Sequence, residues 1–353
     1  MPGGGVEECR NMRSVSSIVG SLADYLLALD IGGTKLAVGA ARRGEFSRTG
    51  KLRHILKEPV PIPGSPDVVI PRVLAMVRSM IGDAVPAAVG ISIGGPLDHA
   101  TGTVVNFPHL PGWRNIPLCD EVGRALGAPC RLDNDANLGA LAEHRWGAGR
   151  DVDDMVYLTI STGIGGGVIV GGRLLHGAGS AAGEVGHITV LSDGPRCACG
   201  NHGCLEAVAS GTSIARRARE AVAGDHERGR SLLLLAGGEP GAITPAMVFG
   251  AARDGDALAR ELVAETAEYL AVGLAAVIHT LAPSVIVLGG GVAQVGDDLL
   301  IPLRERLRSH VFYVPLDLIR ITGASLGHDS AIIGAATLAL DLAGEAPPPV
   351  AAA

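Results

Sequence analysis

Between Ser161 and Glu206 the chain carries, in order, a glycine-rich turn, a Glu-x-x-His pair and three closely spaced cysteines. The turn, Ser161-Thr162-Gly163-Ile164-Gly165-Gly166-Gly167, lies between apolar runs at 155–160 and 168–170. This reads as strand, tight turn, strand, with bare backbone N–H groups at the bend. A nest of amides suits a phosphate better than a side chain would, and Thr162, Gly163 and Gly165 are its candidates. Glu184 and His187 follow, then Cys197, Cys199 and Cys204 spaced Cys-x-Cys-x4-Cys, with His187 nine intervening residues before the first cysteine. One imidazole and three thiolates make a closed tetrahedral zinc set. His202, inside the cysteine loop, is a rival ligand, but its place in an Asn-His-Gly turn reads better as loop filler. The whole stretch reads as a phosphate loop joined to a metal-braced, polar substrate wall.

A second glycine turn stands near the start. An apolar run at 25–29 leads into Asp30-Ile31-Gly32-Gly33-Thr34-Lys35 and then a run at 36–41, again strand, turn, strand. Asp30 at the strand end could hold magnesium through water, with Thr34 and Lys35 on phosphate oxygens. The bland alternative is a type I′ hairpin with Gly32-Gly33 at its tip. Paired with the turn at 161–167 the chemical reading prevails: the chain holds two versions of one hairpin, facing each other across a cleft. Arg131-Leu132-Asp133-Asn134-Asp135-Ala136-Asn137 is a third focus, a short strand ending at Leu132 before a helix over 136–146. Asp135 at that helix N-terminus can be a cap. It can also be a general base, kept ionised by the helix dipole. Two acids and two amides within five residues exceed what capping needs, which favours catalysis.

The elements that must position these residues follow from composition and pattern. The 353 residues suffice for two domains sharing a cleft. With 47% hydrophobic but only 3% aromatic residues, the core must be built of Ala, Val, Leu and Ile. A net charge of −7 without a dense Lys/Arg block argues against a nucleic-acid partner. The most apolar segment, 270–292, is broken by His279, Pro283, Ser284 and the glycines 289–291, and reads as buried helix then buried strand and not as a membrane span. Six cysteines, three of them isolated, point to a reducing compartment, hence the cytoplasm, and to metal binding over disulfides.

A helix is expected over 69–81 and a strand over 87–93, ending in Gly94-Gly95, where a ligand can approach the backbone. A proline-pinned loop over 106–113 either covers a sugar or is a plain connection. Helices over 210–223 and 257–281 flank a charged, glycine-rich surface excursion at 224–241. A buried strand at 285–288 ends in Gly289-Gly290-Gly291, a weak sign of nucleotide contact. Residues 1–24 read as a loose leader without signal-peptide character, and 344–353 as a disordered tail.

The ordered set DIGGTK (30–35), LDNDAN (132–137), STGIGGG (161–167), GEVGH (183–187), CACGNHGCLE (197–206) and VLGGG (287–291) resembles the ROK family of repressors, open reading frames and sugar kinases, over about 25–340. The resemblance implies a two-domain α/β fold of the actin and hexokinase type (ribonuclease H-like) with a central cleft. The small domain would span 25–135, completed by a C-terminal helix at about 330–343. The large one would span 136–329. It implies Asp135 as catalytic base and Asn134, Asp135, Glu184, His187 and Glu206 on the sugar, with Gly95 near it. It also implies Asp30, Gly32, Gly33, Thr34, Lys35, Thr162, Gly163, Gly165, Gly289 and Gly290 on Mg-ATP. His187, Cys197, Cys199 and Cys204 would hold a structural zinc. The implied activity is ATP-dependent phosphorylation of a hexose 6-hydroxyl, glucokinase-like, in a homo-oligomer (dimer or tetramer). An N-acetylmannosamine, N-acetylglucosamine or fructose kinase and a polyphosphate donor are the alternatives within the family. A sugar-responsive repressor is disfavoured, since about two dozen residues precede Asp30, too few for a helix-turn-helix domain. His109 departs from the Asn common at that position in glucokinase-like members and leaves the preferred hexose open.

Overall fold

The computed structural model describes residues 24–108 and 110–344. The readings of residues 1–23, of His109 and of 345–353 lie outside the described residues. From the start, β1 (Tyr25–Ile31), β2 (Lys35–Arg42), a short helix α1 (Arg43–Thr49), β3 (His54–Pro59), α2 (Pro66–Ile81) and β4 (Ala88–Ile93) lead to a small antiparallel sheet. That sheet is β5 (Leu97–Asp98), β6 (Thr103–Asn106) and β7 (Arg114–Ile116), followed by α3 (Leu118–Leu126), β8 (Cys130–Asn134) and α4 (Asp135–Trp146). A second set follows: β9 (Met155–Ile160), β10 (Ile164–Val170), β11 (Arg173–Leu174), then helices α5 (Leu205–Ala209), α6 (Gly211–Gly224), α7 (Arg230–Leu235), α8 (Pro245–Arg253) and α9 (Ala257–Leu281). The chain closes with β12 (Val285–Gly289), α10 (Gly290–Ala293), α11 (Asp297–Leu307), β13 (Arg320–Gly323) and α12 (Ser330–Leu342).

Two five-stranded sheets result, ordered β3-β2-β1-β4-β8 and β11-β10-β9-β12-β13. Each begins with an antiparallel hairpin and continues with two parallel strands. The repeated hairpin read from glycines is thus a repeated sheet. Along β1 the side chains alternate between two cores, as period-2 geometry requires. Leu27, Leu29 and Ile31 join Val69, Val73 and Val77 of α2, whereas Leu26 and Ala28 join Ala335, Ala336 and Ala339 of α12. At the points of closest approach on the second face there is no room for a side chain. A Cβ on Gly90 would stand 1.9 Å from the Ala335 carbonyl oxygen, and one on Gly334 of α12 would stand 2.0 Å from that of Leu138 in α4. The scarcity of aromatics is the composition of a protein whose helices approach backbone to backbone.

Helix α9 is long and apolar enough to cross a membrane, but 61% of its most apolar window is buried inside the structure. Its Leu262, Leu270, Leu274 and Ile278 belong to the core of the second unit. Several bounds move from expectation. Ser65 and Pro66 start α2 three residues early, because proline is well placed in a first helical turn. Strand β8 runs on to Asn134, since its ladder with β4 continues to the pair Ile93–Asn134. The surface excursion at 224–241 contains a helix, α7, which buries Leu232 and leaves Leu234 and Leu235 exposed.

At its far end α4 carries Glu143, fully buried. One carboxylate oxygen accepts from the amides of Ala148 (2.8 Å) and Ser325 (3.1 Å), and the other from the amide of Leu326 (2.8 Å) and the Ser330 hydroxyl (3.3 Å). One charged group therefore joins the end of α4 to the loop after β13 and the start of α12. Glu143→Gln puts an NH2 among these donors, leaving buried amides without an acceptor. A loss of about 2–4 kcal/mol is expected, read as a lower urea midpoint at unchanged m-value.

Candidate active site

The ends of three neighbouring strands coincide. Ile31 of β1 stands opposite Ile93 of β4, which stands opposite Asn134 of β8. The turn at 32–34, the Gly94-Gly95 bend and Asp135 therefore share the carboxyl edge of one sheet, where ligands bind in open α/β folds. On the second sheet Thr159, one residue before the end of β9, pairs with Gly289, the last of β12. The 161–163 turn and Gly290 meet there: a Cβ on Gly290, whose φ is +83°, would stand 2.4 Å from the Ile160 carbonyl oxygen.

Asp135 is the first residue of α4 and is exposed. Asn134 is the N-cap; its side-chain oxygen accepts from the Ala136 amide at 2.8 Å, which spares Asp135 the capping role. The Asp135 carboxylate also meets that amide at 2.9 Å. Asp30 lies close enough for the Asp135 charge to act on it. Burial above all, with Asp135 adding, pushes the Asp30 carboxyl up to about 6, against the Ser92 hydroxyl hydrogen bond (2.7 Å) and the charges of Lys35 and Lys57, which hold it down. A carboxyl whose proton affinity is raised by a neighbouring carboxylate is a suitable seat for a divalent cation, whose charge offsets both.

The two hairpin turns differ from expectation in detail. Neither Gly32 nor Gly33 takes a positive φ, so the first turn is not the type I′ alternative. In the second, Gly165, Gly166 and Gly167 lie inside β10 and only Ser161, Thr162 and Gly163 form the bend. Their bareness serves packing on both faces: a Cβ on Gly167 would stand 2.7 Å from the Ala136 carbonyl oxygen of α4, and one on Gly166 2.4 Å from the Gly183 carbonyl oxygen. Nor is every amide of the bend bare, because Ile164 donates to a Glu206 carboxylate oxygen at 2.9 Å. Thr212 secures the bend from α6, its hydroxyl donating to the Thr162 carbonyl at 2.9 Å.

Glu206 thus connects the bend to the cysteine cluster, and its other oxygen lies 3.9 Å from the Cys197 sulfur. The donor atoms of His187, Cys197, Cys199 and Cys204 all lie within 4.8 Å of one another. Cys199 and Cys204 sulfurs are 3.7 Å apart, and Cys197 Sγ lies 3.6 Å from His187 Nδ1. Thiolates and imidazoles bound tetrahedrally to one ion stand about 3.8 Å (sulfur to sulfur) and about 3.6 Å (sulfur to nitrogen) apart. The four residues fit a metal ion. His202 turns away to the Gly194 carbonyl, 3.3 Å from its Nδ1. Glu184 is exposed, 3.8 Å from His187 Nε2. Gly95 has φ +92°, and a Cβ there would stand 2.3 Å from the Asn106 carbonyl oxygen, so its first demand is a close backbone crossing.

Sequence reasoning assigned nothing to Ser92, to Asp133 or to His99 and His176. Asp133, 2% exposed, was legible only as one acid in a polar run. The two histidines are 77 residues apart and carry no spacing signal.

Two sheets of matching strand order, each with a glycine-bearing turn in its first hairpin, define the class: a two-domain fold of the actin and hexokinase type. The chain belongs to the ROK family, whose model matches residues 26–342. It is 36% identical over 314 residues to a glucokinase of Thermotoga maritima, covering 89% of this chain and 96% of that protein. It is 40% identical over 249 residues to a glucokinase of Halalkalibacterium halodurans, covering 70% of this chain and 74% of that one. Among solved structures, a ROK family glucokinase of Streptomyces griseus in complex with glucose and AMPPNP superposes with a TM-score of 0.77 at 34% identity, covering 90% of this chain and 99% of that chain.

The Asp30 carboxyl carries an expectation of its own. Its folded value lies above the 3.8 of an unperturbed carboxyl. The stability it lends is therefore complete below pH about 4 and is lost as pH rises through about 6. Melted without magnesium or nucleotide, Asp30→Asn should gain about 2–5 °C at pH 7.5 and nothing at pH 4, while turnover falls at least about a hundredfold. An unchanged melting point at both pH values would contradict the buried charge.

Proposed function

We propose that the chain phosphorylates a hexose, glucose foremost, at its 6-hydroxyl with ATP as donor. The observation that carries this reading is an exposed carboxylate, Asp135, at the N-terminus of a helix packed on β10, with its charge acting on the half-buried Asp30 before the first glycine turn. Asp135 accepts the proton of the attacking hydroxyl while the helix end keeps it ionised until then. Asn134, Glu184, His187 and Glu206 hold the ring, and Gly95 lets it approach the backbone. Gly32, Gly33, Thr34 and Lys35 from one turn and Thr162 and Gly163 from the other meet the phosphates, with Gly289 and Gly290 on the adenosine side. Asp30 holds magnesium through water; the ion, when bound, supplies positive charge to the phosphate oxygens. The units that close on the substrates are 25–135 with 330–343, and 136–329.

The metal held by His187, Cys197, Cys199 and Cys204 is zinc in a structural role, because four protein ligands leave no position for substrate. Its work is to hold the loop between Glu184 and Glu206. Exposed Phe312 (83%), Tyr313 (94%) and Leu318 (73%) support a homo-oligomer. Free thiols and an acidic net charge fit a cytoplasmic protein whose partners are sugar and nucleotide rather than nucleic acid.

ADP release measured over glucose, mannose, fructose and the N-acetyl hexosamines tests the substrate class. Glucose should lead; an N-acetyl sugar ahead by tenfold would transfer the reading to the amino-sugar kinases. Asp135→Asn should bind glucose within a few-fold of the parent yet lose about 10³-fold or more in kcat. Near-normal turnover would remove Asp135 from the base role. Elemental analysis should return about one zinc per chain, and chelation should weaken sugar binding; a metal-free chain of full activity and unchanged sugar affinity would refute the site.

A further inference from the structure

Beside the proposed base lies a polar chain that the phosphorylation scheme does not use. The Asp133 carboxylate is buried and fully engaged. One oxygen accepts from the Asn134 amide (2.7 Å) and from the side-chain amide of Asn137 (2.8 Å). The other stands 2.6 Å from His176 Nε2, which must donate, since an ionised carboxylate only accepts. The far face of the His176 ring is stacked on His99, with centroids 3.6 Å apart and planes 6° from parallel. His99 is fixed in turn by Ser180: its backbone amide donates to Ser180 Oγ at 3.3 Å, and Oγ lies 2.7 Å from His99 Nδ1. Burial first, then the second imidazole, push the His99 pKa down, so the stack does not oppose two full charges.

These contacts join three pieces of chain with no covalent reason to keep station. His99 follows β5 in the small antiparallel sheet, Asp133 is the last residue but one of β8, and His176 follows β11 of the second sheet. His176 also starts the segment that leads to Glu184, eight residues on, and its carbonyl accepts the Ala182 amide at 2.9 Å. We propose that His176, stacked on His99 and bonded to Asp133, is a positioning residue that sets Asn134 and Asp135 in register with the Glu184–His187 sugar wall. It touches no reacting atom. Its effect on the reaction passes through Asp133, whose two oxygens brace the strand-to-helix turn from both sides.

The proposal rests on the sugar-kinase reading, and the test separates the two. His176→Ala should lower kcat/KM for glucose about tenfold to a hundredfold, through both KM and kcat, with KM for ATP unchanged within twofold. His176→Gln, whose side-chain amide can still donate to Asp133, should recover most of the loss, and His99→Ala should give an intermediate one. Hydrogen exchange read by mass spectrometry is independent of activity: amides at 133–137 and 177–187 should exchange faster in His176→Ala, while those of α9 stay as in the parent. A chain that phosphorylates no hexose would end the kinase reading and leave the exchange pattern to decide the positioning role. Unchanged exchange at 133–137, an equal loss in the Gln and Ala variants, or a parallel rise in KM for ATP would each overturn it. Should His176→Ala fail to fold, the same comparison between His99→Ala and the parent decides: a glucose-specific loss supports the proposal and no loss refutes it.

Discussion

Helix α4 lies on its neighbours at distances that admit no side chain between the backbones. Gly167 of β10 faces the Ala136 carbonyl, and Gly334 of α12 faces that of Leu138. At such separation the helix cannot rotate or slide without backbone collision, because dispersion contacts and hard-core repulsion are both steep there. The exposed carboxylate of Asp135 at one end is therefore placed by the glycines underneath it. The Glu143 carboxylate at the other end fastens the same helix to α12, which spans the face of the first sheet. One rigid element thus connects both sheets and carries the proposed base.

The same constraint separates two uses of glycine that a motif does not distinguish. In the first hairpin the glycines stand at the bend, with the Gly32 amide donating to the Lys35 carbonyl at 3.0 Å. In the second only Gly163 does, while Gly165 to Gly167 have become strand, Gly165 and Gly167 facing α4 and Gly166 facing Gly183. The bend is kept in shape from elsewhere, by Glu206 on the Ile164 amide and by Thr212 on the Thr162 carbonyl. Since Glu206 also adjoins Cys197, the cysteine loop is connected to the bend at 161–163 through a single carboxylate. A metal ion held by His187, Cys197, Cys199 and Cys204 would bear on that bend through the same carboxylate.

Charge is distributed with equal economy. Asp30 is kept at high proton affinity by burial and by Asp135, which destabilises the cation-free protein at neutral pH and suits the loaded one. Asp133, two residues from Asp135, is buried, and both of its oxygens meet donors, two amides on one and an imidazole on the other. Adjacent acids thereby take different tasks according to what surrounds them.

Local chemistry was legible without coordinates wherever it depends on neighbours in the chain. Hairpins around DIGGTK and STGIGGG, the long apolar helix at 257–281 and the Cys-x-Cys-x4-Cys run are short-range patterns, and strand alternation or ligand spacing encodes them directly. Bounds moved by one to three residues where ladder partners or caps decided, as with Asn134 in β8 and Pro66 in α2. The matching strand orders of the two sheets, the pressure of α4 on β10, the Glu143 anchor and the Asp133–His176–His99 stack were decided by tertiary structure alone. Each depends on residues tens to hundreds of positions apart meeting at van der Waals distance, and a pair such as His99 and His176 leaves no periodic trace because only the fold makes them neighbours.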